Sequence, residues 1–428
     1  MIEAVVIGAG QAGLAASYHL RQRGIDHVVL ESGRIGESWR SQRWDSFVLN
    51  TPYWMSLLPG EAEPDEARDA FLARDAFVDH LDAYVRDQRL AVRQGSEVTA
   101  VRPDRAGPER KDATFTVRVT APDHDDELVT RSVIVASGGQ RVPRIPPIAG
   151  SLPAGIVQVA AAAYRAPGDL PPGAVLVVGS AQTGVQVVED LIEAGRRVYL
   201  CTSAVGRYPR RYRGRDVLEW LSRAGAFDIP TERLPDPSVR LMPTPLVSGV
   251  GRLGHTVSLQ GLAAQGATLL GRPIEVHGTR LRLDQSVGAN VALGDRVSAE
   301  TKAQIDRSIV ESGDRLPPLG PDDPADRAHP EPLSIRTPEE LDLEALGVTS
   351  VVWTTGFRGD FGYLPPELLD PAGQPVQVHG LTSMPGVFCL GLPWQTRRRS
   401  ALISGVDLDA AFIVERLAEH LAGRGASN

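Results

Sequence analysis

Cysteine is nearly absent from this chain of 428 residues: there are two, Cys201 and Cys389, with no CxxC or other paired spacing. Both lie in apolar, strand-like runs, so they read as small core residues in a reducing compartment, and a disulfide redox relay is not expected. Long apolar runs are missing too. None approaches the ~20 residues of a membrane span, and the first residues enter a strand without a basic region and apolar segment. A cytoplasmic protein with no membrane partner is therefore expected. Charge of one sign is also lacking, since 45 Lys and Arg stand against 53 Asp and Glu, a net −8 spread along the chain. That balance argues against nucleic acid as a partner. The nine histidines are scattered without HExxH or paired spacing, so no metal site is expected. His124, within Asp123 to Asp126, reads as part of a solvated turn. No GxSxG is present, so serine hydrolysis has no nucleophile elbow.

Glycine, in contrast, is abundant, and two hexapeptides of the same design follow short apolar runs: GAGQAG (Gly8 to Gly13) and GSAQTG (Gly179 to Gly184). Before the first, Ile2 to Ile7 reads as a buried parallel strand, and after it Gln11 to Arg23 reads as a helix. In such a turn Gly8 allows the tight bend, Gly10 lets the backbone approach a pyrophosphate, and Gly13 lets the helix pack close to the strand. The helix N-terminus beside Gln11 and Ala12 favours an anion. A second strand, His27 to Leu30, ends in Glu31, placed to accept ribose hydroxyls, with Ser32 beside it. The second turn, with Ser180, Gln182 and Thr183, follows Ala174 to Val178 and precedes a helical stretch, Val185 to Ala194. Ala181 replaces its middle glycine, which loosens the phosphate approach. After the strand Arg197 to Leu200 the chain continues Cys201 to Arg211, with a serine and several arginines instead of an acid, a choice that favours a 2′-phosphate and hence NADP over NAD.

Between these units runs Gly36 to Gly60, an aromatic and arginine-rich loop without helical or strand period, of a length that is usually functional. Phe71 to Arg86 reads as an amphipathic helix, and strands are expected near Gly95 to Val101, Thr114 to Thr120 and Glu127 to Val135. A proline-rich connector, Val142 to Pro153, marks a boundary. Residues from about Arg213 to Ser334 carry little pattern, and Leu316 to Pro332 reads as a surface excursion. Strands at Ser350 to Trp353 and Gly386 to Leu390 and a helix at Asp407 to Leu421 close the chain. At 428 residues, two domains are expected.

The order of motifs resembles the single-component flavin-containing monooxygenases, close to compact bacterial members and to plant indole-3-pyruvate monooxygenases. The resemblance rests on GAGQAG, GESW (Gly36 to Trp39), ASG (Ala136, Ser137, Gly138), GSAQTG, TTGF (Thr354 to Phe357) and GLPW (Gly391 to Trp394) before Ser404 to Ala411. It implies an α/β fold of two Rossmann-like dinucleotide-binding domains, the NADPH domain inserted into the FAD domain: 1–160 and 335–428 for FAD, 165–334 for NADPH. It implies FAD and NADPH as cofactors and a FAD-dependent oxidoreductase that moves one oxygen atom from O2, through a flavin C4a-(hydro)peroxide, to a small organic substrate. A homodimer is compatible with it. By the same resemblance Glu31 holds the FAD ribose, Trp39 and Arg40 line the flavin, and Val98 meets the adenine by its backbone. Gly391 and Ser404 approach the ring, Ser203 and Arg207 take the 2′-phosphate, and Thr355 and Gly356 form the hinge. Arg40 and Trp44 are expected near the ring, Asn50 and Trp394 in the substrate pocket. One departure stands out: Ala160 replaces a histidine of the family four residues ahead of Tyr164. That leaves open an oxygenase that works without it, an oxidase or dehydrogenase, or a reductase with an external acceptor.

Overall fold

The computed structural model describes residues 1–63, 67–104, 114–122, 125–234, 236–247 and 254–423. His124 lies outside them. Two sheets organise the chain. The first has the order Val92–Arg93, His27–Leu30, Ile2–Ile7, Asp125–Val135, Phe115–Thr120, Glu97–Pro103, with Val387–Cys389 also paired to Asp125–Val135. Ile2–Ile7 runs parallel to both of its neighbours. A parallel strand covered on both faces needs apolar side chains throughout, which is why this one reads as a continuous hydrophobic run. The strand Asp125–Val135 does two jobs. Its first half alternates exposed and half-buried in an antiparallel meander, and its last four residues are all buried beside Ile2–Ile7.

Helices Gln11–Gln22 and Val406–Leu421 cover one face of this sheet, with Leu14, Ala15, Val414 and Leu417 in one core. The second sheet is wholly parallel: Thr268–Leu270, Val198–Cys201, Ala174–Val178, Val348–Trp353, Val157–Ala160. Helix Gln182–Glu193 follows its glycine turn. A three-stranded antiparallel sheet, Pro273–His277, Arg280–Leu283 and Glu340–Asp342, adjoins it.

The expected domain boundaries need correction. Val157–Ala160 belongs to the second sheet rather than to a first segment 1–160, and Glu340–Asp342 and Val348–Trp353 belong with it rather than with a closing segment 335–428. The chain crosses between the two sheets by two connectors, and these pair with each other: Val142–Pro143 against Phe357–Arg358, antiparallel. The unpatterned region holds a further surprise, a 25-residue helix, Val287–Glu311. Its buried stripe runs Val287, Val291, Gly294, Ser298, Thr301, Ile305 and Ile309. Three small or polar residues interrupt the apolar period, so the helix carries a weak hydrophobic signal. Among the described residues no helix is long and apolar enough to cross a membrane.

Helix Gln182–Glu193 also carries a titrating contact. His255 Nε2 lies 2.6 Å from the buried carboxylate of Glu189, whose hydrogen bond and charge raise the imidazole pKa above its usual value. A raised folded-state pKa means that this contribution to stability is complete below pH ~6.5 and is lost as pH rises through the folded value. Thermal melts of the wild type and His255→Gln should therefore differ most at acidic pH and converge at alkaline pH. A gap that widened with pH would show that the ion pair does not form.

Candidate functional site

Both large sheets end their central parallel strands on one shared cleft of about 1830 Å3. Ligand crevices of open α/β sheets lie at the carboxyl ends of strands, where successive connections leave in opposite directions. The two glycine turns occupy those ends.

The first turn shows three glycines with three different reasons. Gly8 has φ +105°, and a Cβ there would meet the Ala136 carbonyl oxygen at 2.6 Å. A Cβ on Gly13 would lie 1.8 Å from the Gly8 oxygen, so helix and strand touch backbone to backbone. A Cβ on Gly10 would meet nothing within 4 Å, because that position opens on the cleft. The second turn repeats this, with Gly179 at φ +108° and a Gly184 Cβ 1.9 Å from the Gly179 oxygen. Ala181 takes the place of Gly10 with nearly the same extended backbone, ψ −178° against −176°, so its methyl group lines the cleft.

Other expected residues join them. Glu31 accepts hydrogen bonds from the Ala9 N–H at 2.8 Å and the Gly33 N–H at 2.9 Å, with the Ser32 hydroxyl at 3.3 Å. The carboxylate is thus fixed at the strand end facing the cleft. Trp39 Nε1 donates to Gln11 Oε1 at 3.2 Å. Ala12, Ser32, Val98, Ala136, Gly138, Gln182, Thr183, Thr355, Gly356 and Gly391 also line the cleft. Ser137 shares a 2.7 Å hydrogen bond with Tyr363, whose phenol is pushed well above its usual pKa by burial. Ser203 lines the cleft, and its N–H donates to the buried Ser180 hydroxyl beneath it at 2.9 Å. Trp44 and Asn50 both reach the cleft.

Gly13, Ser180 and Gly184 lie behind the turns and do not line the cleft, and four further expected site residues do not reach it either. Arg207 is 2 % exposed, ion-paired with Asp295 and with Asp326 at 3.3 Å, and donates to the Asp326 carbonyl at 2.8 Å. Both terminal nitrogens of its guanidinium are taken by protein oxygens, its Nε has no partner, and it does not line the cleft. Arg40 pairs with Asp82 at 2.5 Å and donates to the Ile35 carbonyl at 2.9 Å, which anchors the start of the aromatic loop to helix Arg74–Asp87. It is Arg43, three residues later, that lines the cleft. Trp394 contributes its carbonyl to the Thr231 hydroxyl at 2.8 Å while Leu392 and Pro393 form the wall. Ser404 stands behind Ala401, Leu402 and Ile403, which face the cleft in its place.

Residues that local pattern did not reveal take over some of these roles. Arg272 follows the strand Thr268–Leu270, which pairs directly with Val198–Cys201, so Arg272 flanks Ser203 across the sheet end. Its side chain is 76 % exposed and, among the described residues, ion-pairs with Asp284 at 3.6 Å. Arg240 also lines the cleft. No sequence signal marks Arg272, because strand adjacency brings it in from far along the chain.

Ala160 pairs with Trp353 in the second sheet and does not line the cleft. Tyr164 is buried, its hydroxyl donating to Asp190 at 2.5 Å, where the Ser46 hydroxyl also donates at 2.5 Å. Cys201 and Cys389 are buried on strands of different sheets, and burial pushes the Cys389 thiol up to about 12. They make no dithiol pair.

Dinucleotides fit this site: two helix N-termini reach one cleft, Gly10 leaves an open cradle, and buried polar atoms of Trp44 and Gln186 on the cleft wall have no protein partner.

A family model described as pyridine nucleotide-disulphide oxidoreductase matches residues 5–222. The chain is 29 % identical to an uncharacterized CzcO-like oxidoreductase of Geobacillus kaustophilus, over 98 % of this chain and 99 % of that protein. It is 30 % identical to the rice indole-3-pyruvate monooxygenase YUCCA1, over 45 % of this chain and 46 % of that one. Its fold is that of a flavin-containing monooxygenase from Stenotrophomonas maltophilia, with a TM-score of 0.63, 21 % identity and 98 % of each chain covered.

Proposed function

The chain belongs to the pyridine nucleotide-disulphide oxidoreductase family, and from that premise we propose that it is a FAD- and NADPH-dependent monooxygenase acting on a small organic substrate. The observation that carries the reading is the convergence of two dinucleotide turns on one cleft. With no dithiol between them, electrons have no thiol relay to follow. FAD, held at the first glycine turn and Glu31, would supply acceptance of hydride from NADPH and the reactivity of a reduced flavin toward O2.

The chain's own groups bind, orient and exclude water. The turn at Gly10 takes the FAD pyrophosphate on the N-terminus of helix Gln11–Gln22, and Glu31 accepts the adenosine ribose hydroxyls. The turn at Ala181 takes the NADPH pyrophosphate, and Ser203 with Arg272 holds the 2′-phosphate. The aromatic loop closes the ring end: Trp39 stands edge-on to Phe77, 4.9 Å between centroids, and Trp44 edge-on to Phe47, 5.0 Å. Such packing keeps bulk water from the reacting end. Ala160 itself does not line the cleft, and an oxidase, or a reductase with an external acceptor, is the alternative reading.

The test is NADPH oxidation by the FAD-loaded protein under 18O2 with a panel of amines, sulfides, ketones and organic acids. Incorporation of label into a product, with hydrogen peroxide well below the NADPH consumed, supports the reading. Stoichiometric peroxide with every substrate replaces it with an oxidase. No NADPH oxidation at all removes both.

A further inference from the structure

Arg210 is among the largest side chains wholly inside the protein, 1 % exposed, and it stands on the nucleotide side of the chain, past strand Val198–Cys201. Its backbone is fixed there. The N–H donates to the Thr256 hydroxyl at 2.7 Å, and the carbonyl accepts from the Val217 N–H at 2.9 Å. The side chain crosses to the aromatic loop. Nη1 donates to the Asn50 carbonyl at 2.8 Å and to the Val247 carbonyl at 3.2 Å, and Nη2 donates to Asp216 at 2.6 Å. The guanidinium carbon lies 4.4 Å from the Phe71 ring centroid. Asp216 uses its other oxygen to accept the Leu218 N–H at 2.9 Å, capping helix Val217–Arg223.

The two carbonyls lead to opposite walls of the cleft. Asn50 lines it between Leu49 and Thr51, which line it too. The Leu49 N–H donates to the Leu72 carbonyl and the Tyr53 N–H to the Ala70 carbonyl, each at 2.8 Å, so this part of the loop and Phe71 form one unit on which Arg210 rests. On the other side the Val247 N–H donates to Gln182 Oε1 at 3.2 Å, and Gln182 lines the cleft at the start of helix Gln182–Glu193. Contacts therefore run without a break from Asn50 through Arg210 and Val247 to Gln182. A buried ion pair is weak evidence for stability, since an apolar pair of similar volume is often as stable or more so. Burial pulls the Arg210 guanidinium below its usual value against the pull of Asp216, and its Nε has no partner. An apolar side chain cannot hold carbonyls of two separate segments at a fixed spacing, and neither can an ammonium, a point charge on a flexible stem.

We propose that Arg210 is a positioning residue for hydride transfer: from outside the cleft it holds Asn50 on one wall and Gln182 on the other in the register that two bound dinucleotides require. Arg210 itself does not line the cleft, so it acts through these two residues. The inference rests on the reading that the cleft takes FAD and NADPH, and it is independent of what the reduced flavin does with O2. A displacement of about 1 Å far from the reacting atoms can slow a reaction about a hundredfold, so a loosened register should appear in rate rather than in affinity.

The test compares the FAD-loaded wild type with two variants. Arg210→Lys keeps a positive charge beside Asp216 and removes the fork. The double variant Arg210→Met with Asp216→Asn removes both buried charges together and leaves an acceptor for the Leu218 N–H. Both should melt close to the wild type, keep their FAD and bind NADP+ within about threefold of it. Under nitrogen, flavin reduction at saturating NADPH, followed by stopped-flow absorbance, should be slowed about tenfold or more in both. The visible circular dichroism of the bound flavin should change with it. A folded variant with the wild-type reduction rate and flavin spectrum overturns the proposal. So does weaker NADP+ binding with an unchanged rate at saturation, because Arg210 would then serve affinity alone. Should one variant fail to fold, the other decides; loss of the fold in both assigns Arg210 to stability and overturns the proposal as well. A wild type that NADPH does not reduce removes the reading of two nucleotide sites and the proposal with it, whereas a reducible wild type matched by its variants removes the proposal alone.

Discussion

Gly13→Ala should yield little or no folded flavoprotein, whereas Gly10→Asp should yield a folded chain that has lost its FAD. The two positions are three residues apart in one turn and differ in what a side chain would meet. At Gly13 the added Cβ would lie 1.8 Å from the Gly8 oxygen and 3.0 Å from the Gly8 carbonyl carbon. Both are backbone atoms at the end of the central strand, so no rotamer change relieves the clash. The helix must leave the strand, and the core formed by Leu14, Ala15 and Leu20 against Val6 opens with it. Ordinary overpacking costs ~1–3 kcal/mol, and a clash with fixed backbone belongs at or beyond the top of that range. At Gly10 the backbone is extended and nothing lies within 4 Å. An aspartate there stands at the helix N-cap position, where relative to glycine its carboxylate stabilises the free helix by roughly a few tenths of a kcal/mol. The same carboxylate fills the cradle and repels the pyrophosphate, so FAD affinity should fall by about a hundredfold or more. Soluble yield, melting temperature and the ratio of flavin to protein absorbance read all three quantities. A Gly10→Asp protein that retains stoichiometric FAD would move the cofactor away from this turn.

Arg272→Ala and Arg207→Ala should separate cofactor recognition from stability. The Arg272 side chain is 76 % exposed, so its removal should leave the melting temperature nearly unchanged. The KM for NADPH should rise by about tenfold, through loss of a charge-assisted bond to the 2′-phosphate, and the KM for NADH should stay as it was. Arg207 behaves oppositely. Its removal leaves Asp295 and Asp326, whose side chains are 12 % and 10 % exposed, as buried charges, although Lys302 at 2.6 Å still supports Asp326. Breaking such a buried pair costs ~3–5 kcal/mol, and whatever activity survives should discriminate between NADPH and NADH as the wild type does. Equal loss for both nucleotides in Arg272→Ala would show that Arg272 does not hold the 2′-phosphate.

The sequence by itself determined the two dinucleotide turns, the strands and helices around them, and the placement of Glu31. Each is a local consequence of chain chemistry: an apolar run that needs two covered faces, a glycine at positive φ, a glycine where backbone meets backbone, a carboxylate at a strand end. Burial of both cysteines was legible for the same reason, since an apolar strand carries its small residues inward. Which arginine is free was not legible. Arg207 and Arg40 stand at the expected spacing, yet Asp295, Asp326 and Asp82 reach them from distant helices and loops and neutralise them, while Arg43 and Arg272 are left facing the cleft. The sheet limits were hidden likewise, because Val157–Ala160 finds Val348–Trp353 across nearly 200 residues of chain. Helix Val287–Glu311 was hidden because Gly294, Ser298 and Thr301 occupy its buried stripe. Backbone conformation answers to neighbours in sequence, whereas charge availability and strand pairing answer to neighbours in space, and only the folded chain decides who those are.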